Sequence, residues 1–428
     1  MTFDEFKDFN YVYLSGKINI DYIPKRSIFF SIIKAKAKAV YFLYLSIIAS
    51  IKERKPFTCK NKIVFYSVSQ NNHLSVLPVF QKLDSSSTNI FGDRHFNSRI
   101  NIFLPITISA FLAAFFYPKV LVNYLLLDKT LRLNYRRGIN DIVLTYPFYY
   151  VSKLWMKTVK PKAVVISNDH VYSTRILVHW ANQLNIPTFY IQHAAVTKDF
   201  PKLEMKFAFL EGEDSKEKYL EAGSDSSKIE LIGIPKMDYL YNKINKNKNV
   251  NVVGVAGNGL ESKGDVIDVL NKLSASYPDL KITYRPHRMQ FHEKQYKSIL
   301  DEILTQIPKS IVISNPFKES ATDYLTKIDL LVAGDSSIHL EATLLNVTSV
   351  YYFKTNDYYD YYSFLKNEMI ELANNFTELS HIINREKGNR SYVRKKAKKY
   401  CSTLDTEFDG KSADLAANLL LKKLKNTY

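Results

Sequence analysis

The chain has 428 residues, 46% hydrophobic and 24% charged, and its 59 Lys and Arg outweigh 42 Asp and Glu to leave a formal charge of +17 and a pI near 9.4. That length suits two or three domains with sizeable cores, and that charge suits an anionic partner: a lipid surface, nucleic acid or a nucleotide-activated substrate. Two cysteines, Cys59 and Cys401, exclude a disulfide framework and a cysteine zinc site, so a reducing compartment is the default. Nucleic acid is the disfavoured partner, because no helix-turn-helix, zinc or RNA-binding signature occurs and the positive charge is spread through the chain. The opening MTFDEFKDFN is acidic and lacks an apolar centre, which reads as no secretory signal and points to the cytoplasm or its membrane face.

Residues 1–57 read as an N-terminal helical preface. The apolar runs 28–33 and 40–51 are interrupted by Lys34, Lys36 and Lys38 and closed by the charged 52–55. A spanning helix needs about 20 predominantly apolar residues, so a basic amphipathic helix lying on anionic lipid fits better, with an ordinary flanking helix as the alternative. Residues 62–68 predict the first strand of a sheet, and the polar 69–73 a loop at its carboxyl end, where acceptor ligands collect. The run 100–117 is nearly long enough to span, but Pro105 interrupts it and Asn101 stands near its start. It reads as a membrane-dipping or deeply buried helix. Residues 121–127 continue the apolar character and 129–137 turn basic.

The segment 162–190 has the pattern of a βαβ unit, with Asn168-Asp169-His170 in the turn between its first strand and its helix. A strand at 207–210, a helix at 215–222 and a strand at 229–234 follow, and the polar 242–251 reads as a linker. Residues 252–255 open a second sheet, followed by Gly257-Asn258-Gly259, whose glycines let a backbone approach a ligand or simply turn the chain. Helices at 264–276, 293–307 and 320–326 alternate with strands at 281–284 and 311–314, the rhythm of a doubly wound parallel sheet. The domains so drawn are 58–241, 252–405 and a returning C-terminal helix in 406–428. The basic run 392–399 reads as a solvated helix face.

The stretch 328–352 organises the whole. It predicts a buried strand, the tight turn Gly334-Asp335-Ser336-Ser337, a helix and another strand. Hydroxyls delivered onto a helix N-terminus suit an anion, although Asp335 or Ser336 serves equally as a plain cap. Arg285, His287 and Arg288, at the end of the 281–284 strand, add hydrogen-bond donors for a phosphate. The run Tyr190-Ile191-Gln192-His193-Ala194-Ala195 closes another strand.

With these motifs in this order, residues 162–352 resemble bacterial GT-B transferases of surface-polysaccharide synthesis: sialyl- and polysialyltransferases and CDP-glycerol-dependent teichoic-acid glycerophosphotransferases. The departure is that His287 is followed by Arg288 and preceded, not followed, by proline. The resemblance implies an α/β fold of GT-B type, two Rossmann-like doubly wound domains facing across a cleft. It implies that His287, Ser336 and Ser337 hold the phosphate of a cytidine nucleotide. Arg285, Arg288, Gly257 and Asn258 are candidates around it, and Glu341 is a candidate for ribose hydroxyls.

No Asp-x-Asp pair that holds metal on a diphosphate sugar occurs, so metal-free electrostatic stabilisation is expected, with no cofactor. Asp169, His170 and His193 are the candidates for the group that takes a proton from the acceptor. The teichoic-acid enzymes imply His193 and the sialyltransferases an acidic residue, Asp169, which is also a candidate nucleophile. The preferred reading is transfer of a CMP-activated acidic sugar, of nonulosonate or Kdo type, to a glycan or lipid-linked glycan acceptor at an anionic membrane surface. A CDP-glycerol transferase, an isomerase resembling UDP-N-acetylglucosamine 2-epimerases through Asp335-Ser336-Ser337 and Glu341-Ala342, and a catalytically idle assembly protein stand as alternatives.

Overall fold

A computed structural model describes residues 1–18, 20, 23, 25–27, 29–31, 33–34, 36–37, 40–41, 60–93, 101–259, 261–291, 294–353 and 360–427. The apolar 42–51, the charged 52–55 and Cys59 lie outside the described residues. The chain divides into two compact units, 1–236 with 411–428, and 237–410.

The first unit opens with two short helices, α1 (Phe3–Phe9) and α2 (Tyr11–Leu14), then β1 (Ile63–Ser67), α3 (Gln70–Gln81), β2 (Thr88–Gly92) and β3 (Asn101–Ile102). Helices α4 (Leu104–Leu112), α5 (Tyr117–Leu126) and the 31-residue α6 (Lys129–Val159) lead to β4 (Ala163–Ile166), α7 (Tyr172–Gln183) and β5 (Thr188–Ile191). β6 (Phe207–Leu210), α8 (Glu213–Glu221) and β7 (Ile229–Leu231) complete the sheet. Its strands, parallel throughout, run in the order β3-β2-β1-β4-β5-β6-β7. β1, β4 and β5 are buried at every position, as parallel strands covered on both faces must be. The strand order reverses between β1 and β4, and ligands of such sheets bind at that switch point.

Residues 3–14 are helical, as expected, and pack into the first unit: Phe6, Phe9 and Leu14 are buried in one cluster with Tyr135 and Tyr146. Gly138 of α6 makes the seat, since a Cβ there would lie 2.3 Å from the Tyr13 ring, and the Tyr13 hydroxyl donates to Asp141 at 2.6 Å. The expected loop 69–73 is a cap and a first turn, because the Ser69 hydroxyl accepts from Asn72 N and α3 starts at Gln70. Pro105 does not interrupt the 100–117 run either; it stands in the first turn of α4, where no amide is needed.

The second unit contains β8 (Val252–Ala256), α9 (Lys263–Ser276), β9 (Lys281–Arg285), α10 (Lys294–Gln306), β10 (Val312–Ile313), α11 (Ala321–Leu325), β11 (Leu330–Gly334), α12 (Ile338–Leu344), β12 (Thr348–Phe353), β13 (Glu371–Leu372) and α13 (Phe376–Gly388). Its parallel order, β10-β9-β8-β11-β12-β13, reverses between β8 and β11. Residues 242–251 are not a free linker. Asp329 accepts from the side chains of Asn245 and Asn247 at 2.8 Å each and from the amides of Asn251 and Val252 at 2.8 and 3.0 Å, strapping the segment to the strand start. In the basic run 392–399, Lys395, Lys396 and Lys398 are exposed, as expected of a solvated face, while Arg394 turns inward to a bidentate pair with Asp409 at 2.7 Å. The last helix, α14 (Ser412–Lys425), belongs to the first unit, where Ala413, Ala416, Ala417, Leu420 and Leu424 pack with Val76 and Val79 of α3.

The two doubly wound parallel sheets, one in each unit, make this a GT-B fold.

Candidate active site

In the first unit the chain leaves β4 at the switch point and turns through Asn168-Asp169-His170 before α7. The Asn168 side-chain oxygen accepts from the amides of His170 and Val171 at 3.1 and 2.9 Å, which shapes the turn. Arg175 donates to the Asp169 carbonyl at 2.9 Å and pairs with Asp8 at 2.5 Å. Asp169 is buried, and both of its oxygens are engaged: Oδ1 lies 2.8 Å from His170 Nδ1, and Oδ2 accepts from the Tyr219 hydroxyl at 2.7 Å. Burial pushes the Asp169 carboxyl up, but the hydrogen bonds from His170 and Tyr219 and the charge of His170 outweigh it and hold it below its ordinary value. Tyr219 in turn meets Tyr190 at 3.2 Å, and burial raises both phenols, so they stay protonated donors. An ionised Asp169 fixes the proton of His170 on Nδ1. In the neutral ring the lone pair is then on Nε2, 3.3 Å from the Asn168 side-chain nitrogen.

His193 lies beside this dyad, ring centroids 6.4 Å apart from His170, with its carbonyl held by Lys236 at 3.0 Å. Burial, with the nearby His170 charge, lowers its pKa to about 3. It is a neutral imidazole at physiological pH and a weak base.

In the second unit the turns after β8, β9 and β11 converge at that sheet's switch point. Asn258 donates from its side chain to the Asp335 carbonyl at 3.0 Å, tying the Gly-Asn-Gly turn to the Asp-Ser-Ser turn. The amides of Asn258 and Gly259 donate to the Glu261 carboxylate at 2.8 to 3.0 Å. Gly259 has φ +86°, and a Cβ there would lie 3.6 Å from the His287 Cβ, so His287 packs against this loop. Gly334 is needed for close approach, since an added Cβ would meet a Glu261 oxygen and the Phe353 carbonyl at 3.1 Å. His287 Nδ1 accepts from the Met289 amide at 3.3 Å, and burial together with Arg285 lowers its pKa. Neutral His287 therefore carries its proton on Nε2, as a donor. The Ser336 hydroxyl accepts from Ile338 N at 3.4 Å, and Ser337 is exposed. Asp335 accepts from the Tyr361 amide at 3.0 Å, and burial lifts its pKa to about 6.

Not every sequence candidate joins this cluster. Arg285 is buried and spent on its own scaffold, donating to Ser314 Oγ at 2.7 Å and the Glu319 carbonyl at 2.9 Å. Arg288 is exposed, with its guanidinium 4.8 Å from the Phe317 ring centroid. Glu341 is half-buried one turn into α12, close enough to Arg285 and Tyr239 for its charge to act on both. α12 itself has only seven residues, so the side-chain donors matter more here than the helix dipole that the sequence suggested. Tyr219 and Tyr190 escape sequence reasoning because their hydroxyls act from other elements, Tyr219 being 50 residues from Asp169. Glu261 had a signal: a Glu three residues after Asn258, the spacing at which a side chain reaches back to a backbone amide. Among the described residues no group of three or more His, Cys, Asp or Glu could hold a metal ion.

No protein-family model and no curated protein matches the chain. Solved structures do. A UDP-N-acetylglucosamine 2-epimerase described as putative, from Listeria monocytogenes, aligns with TM-score 0.59 at 13% identity over 86% of this chain and 98% of its own. The Neisseria meningitidis UDP-GlcNAc 2-epimerase bound to UDP-GlcNAc aligns with TM-score 0.54 at 13% identity over 84% and 100%. The wall teichoic acid polymerase TagF, soaked with CDPG, aligns with TM-score 0.50 at 12% identity over 92% and 98%. At such identities the likeness establishes the fold.

Proposed function

We propose that the chain is a glycosyltransferase that moves a CMP-activated acidic sugar, of nonulosonate or Kdo type, onto a capsule or other surface-glycan acceptor, with His170 as the base. The observation that carries this reading is the Asp169–His170 dyad at the switch point of the first sheet. Its carboxylate is buried and doubly hydrogen-bonded, so Asp169 acts as a positioning residue behind the imidazole. His170 Nε2 takes the proton of the acceptor hydroxyl as the acceptor oxygen bonds to the anomeric carbon. The bond from that carbon to the phosphate oxygen breaks, and CMP leaves with the electron pair. His287 Nε2–H and the hydroxyls of Ser336 and Ser337 meet the charge that builds on the phosphate, with Arg288 as the adjacent exposed cation. A single phosphate with these donors needs no metal to leave.

A second reading has its own support. The neighbours named above include one epimerase bound to UDP-GlcNAc and a polymerase soaked with CDPG, and the Asp335-Ser336-Ser337 turn suits any nucleoside phosphate. Calorimetric melting of the full chain with CMP, UDP and CDP-glycerol at equal concentration separates these readings. A ligand at 100 times its Kd stabilises by about 2.7 kcal/mol. The proposal expects CMP to raise the melting temperature and UDP to leave it unmoved. A shift with UDP alone makes the isomerase the better account, a shift with CDP-glycerol well beyond that of CMP favours the glycerophosphotransferase, and no shift with any of the three points to an idle relative of these enzymes.

A further inference from the structure

The segment Leu104–Leu126 is apolar on both its sides. Its inward residues Ile106, Ala110, Ala113 and Val120 are buried in the core of the first unit. A helix so placed in a water-soluble surface turns polar residues outward. The strip of exposed side chains running from α4 through α5 instead includes Leu104, Ile108, Phe111, Phe115, Val122 and Leu125, with Phe115 80% and Leu125 65% exposed. Lys119 is the one charged residue among the 23. By length and composition, at mean hydropathy 1.6, the segment is sufficient to cross a membrane. Its inward half forbids that, because withdrawing it would empty the core it fills.

The surroundings of the stripe identify what covers it. After the exposed acidic cap Asp128 come cations: exposed Lys129, then Arg132, whose guanidinium donates to the carbonyls of Tyr124 and Leu125 at 3.1 and 2.6 Å. The early chain joins there too, through Arg26 N to the Arg136 carbonyl at 3.1 Å and Arg137 Nε to the Ile23 carbonyl at 3.2 Å. It brings Phe29 and Phe30, both more than 60% exposed, and then exposed Lys34 and Lys36. An apolar stripe bordered by cations is complementary to a surface that is apolar below and anionic above. A second copy of the chain would instead set like charges against each other on a molecule of net charge +17.

We propose that this face seats the protein on the anionic leaflet of a lipid bilayer, lying in the interface without crossing it. The inference does not depend on the donor or on the catalytic residues. The test is flotation of the full chain with vesicles of phosphatidylcholine alone and of phosphatidylcholine with about one third phosphatidylglycerol, at low and high salt. The wild type is expected to float with the anionic vesicles at least about ten-fold more than with the neutral ones, and less as salt rises. Phe115→Glu/Val122→Glu/Leu125→Glu changes exposed positions only, so it is expected to keep the wild-type circular dichroism and melting temperature and stay at the bottom of the gradient. Lys119→Glu/Lys129→Glu is expected to lose the anionic preference. Wild-type protein that floats with neither vesicle, or a well-folded triple variant that floats as well as wild type, overturns the proposal. So does a wild-type dimer in sedimentation that the triple variant dissolves while neither protein binds vesicles.

Discussion

Asp169 and His170 show what a side chain's neighbours add to its identity. On the sequence Asp169 is an acid at the end of a strand and a natural candidate for the base. In the fold both of its oxygens are taken, by His170 and by Tyr219, and the proposed mechanism therefore gives the proton to His170 Nε2 instead. Removing a general base costs roughly 10²–10⁴-fold in turnover. His170→Ala is therefore expected to cut turnover by about that much with donor affinity unchanged, as read from initial rates and CMP-sugar titration. His193→Ala is expected to have a smaller, mixed effect, because a ring with pKa about 3 contributes packing and position. Asp169→Asn makes a separate prediction. Its amide oxygen can accept from the Tyr219 hydroxyl while its NH2 donates to His170 Nδ1, which moves the ring proton to Nε2 and removes the lone pair there, so turnover is expected to fall roughly 10²–10⁴-fold with the melting temperature little changed. The turn Asn168-Asp169-His170 was legible as a strand-to-helix turn. Tyr219 was not, because nothing local marks a hydroxyl that arrives from another helix.

At the scale of elements, the Asp-Ser-Ser turn and the loops after β8 and β9 form the second cluster. His287→Ala and Ser336→Ala are each expected to weaken CMP binding by about 1–3 kcal/mol, the range for a hydrogen bond to a charged group; unchanged affinity in both would remove the phosphate from this turn. Arg285 looked equivalent to His287 on the sequence and is not. It ends a strand whose successive side chains alternate in direction, and it points to Ser314 and Glu319. Sequence spacing gives that alternation, but not which partners wait on each side. Asp335 predicts a pH effect whose sign is fixed. Its folded pKa, about 6, lies above its ordinary 3.8, so the carboxyl binds its proton more tightly when folded. The stability it contributes is complete below pH about 4 and is lost as pH rises through about 6. Asp335→Asn is expected to melt above wild type at about pH 7.5, and the gap to close between pH about 6 and 4, in parallel melts across that range. An increasing gap on acidification contradicts the assignment.

For the molecule as a whole, the alternation of apolar β-branched runs with helical periodicity was enough to read two doubly wound sheets, because buried parallel strands have few other ways to be written. What escaped was tertiary. Gly138 as a notch for Tyr13, the α1–α2 contribution to the core and the strapping of 242–251 by Asp329 each join residues far apart in the chain. A polar Asn-rich run looks like a linker until the carboxylate that collects its amides is known. Asp329→Ala is expected to release that run, seen as faster proteolysis and amide exchange within 242–251 while the first unit stays protected.

The central claim is transfer from a CMP-linked donor through His170. Its most direct test is release of CMP from CMP-activated acidic sugars, followed in wild type and His170→Ala with glycolipid acceptor extracted from the producing cells. The account predicts acceptor-dependent CMP release by wild type, reduced roughly 10²–10⁴-fold in the variant at equal donor occupancy. No release by wild type, or equal release by both proteins, contradicts it.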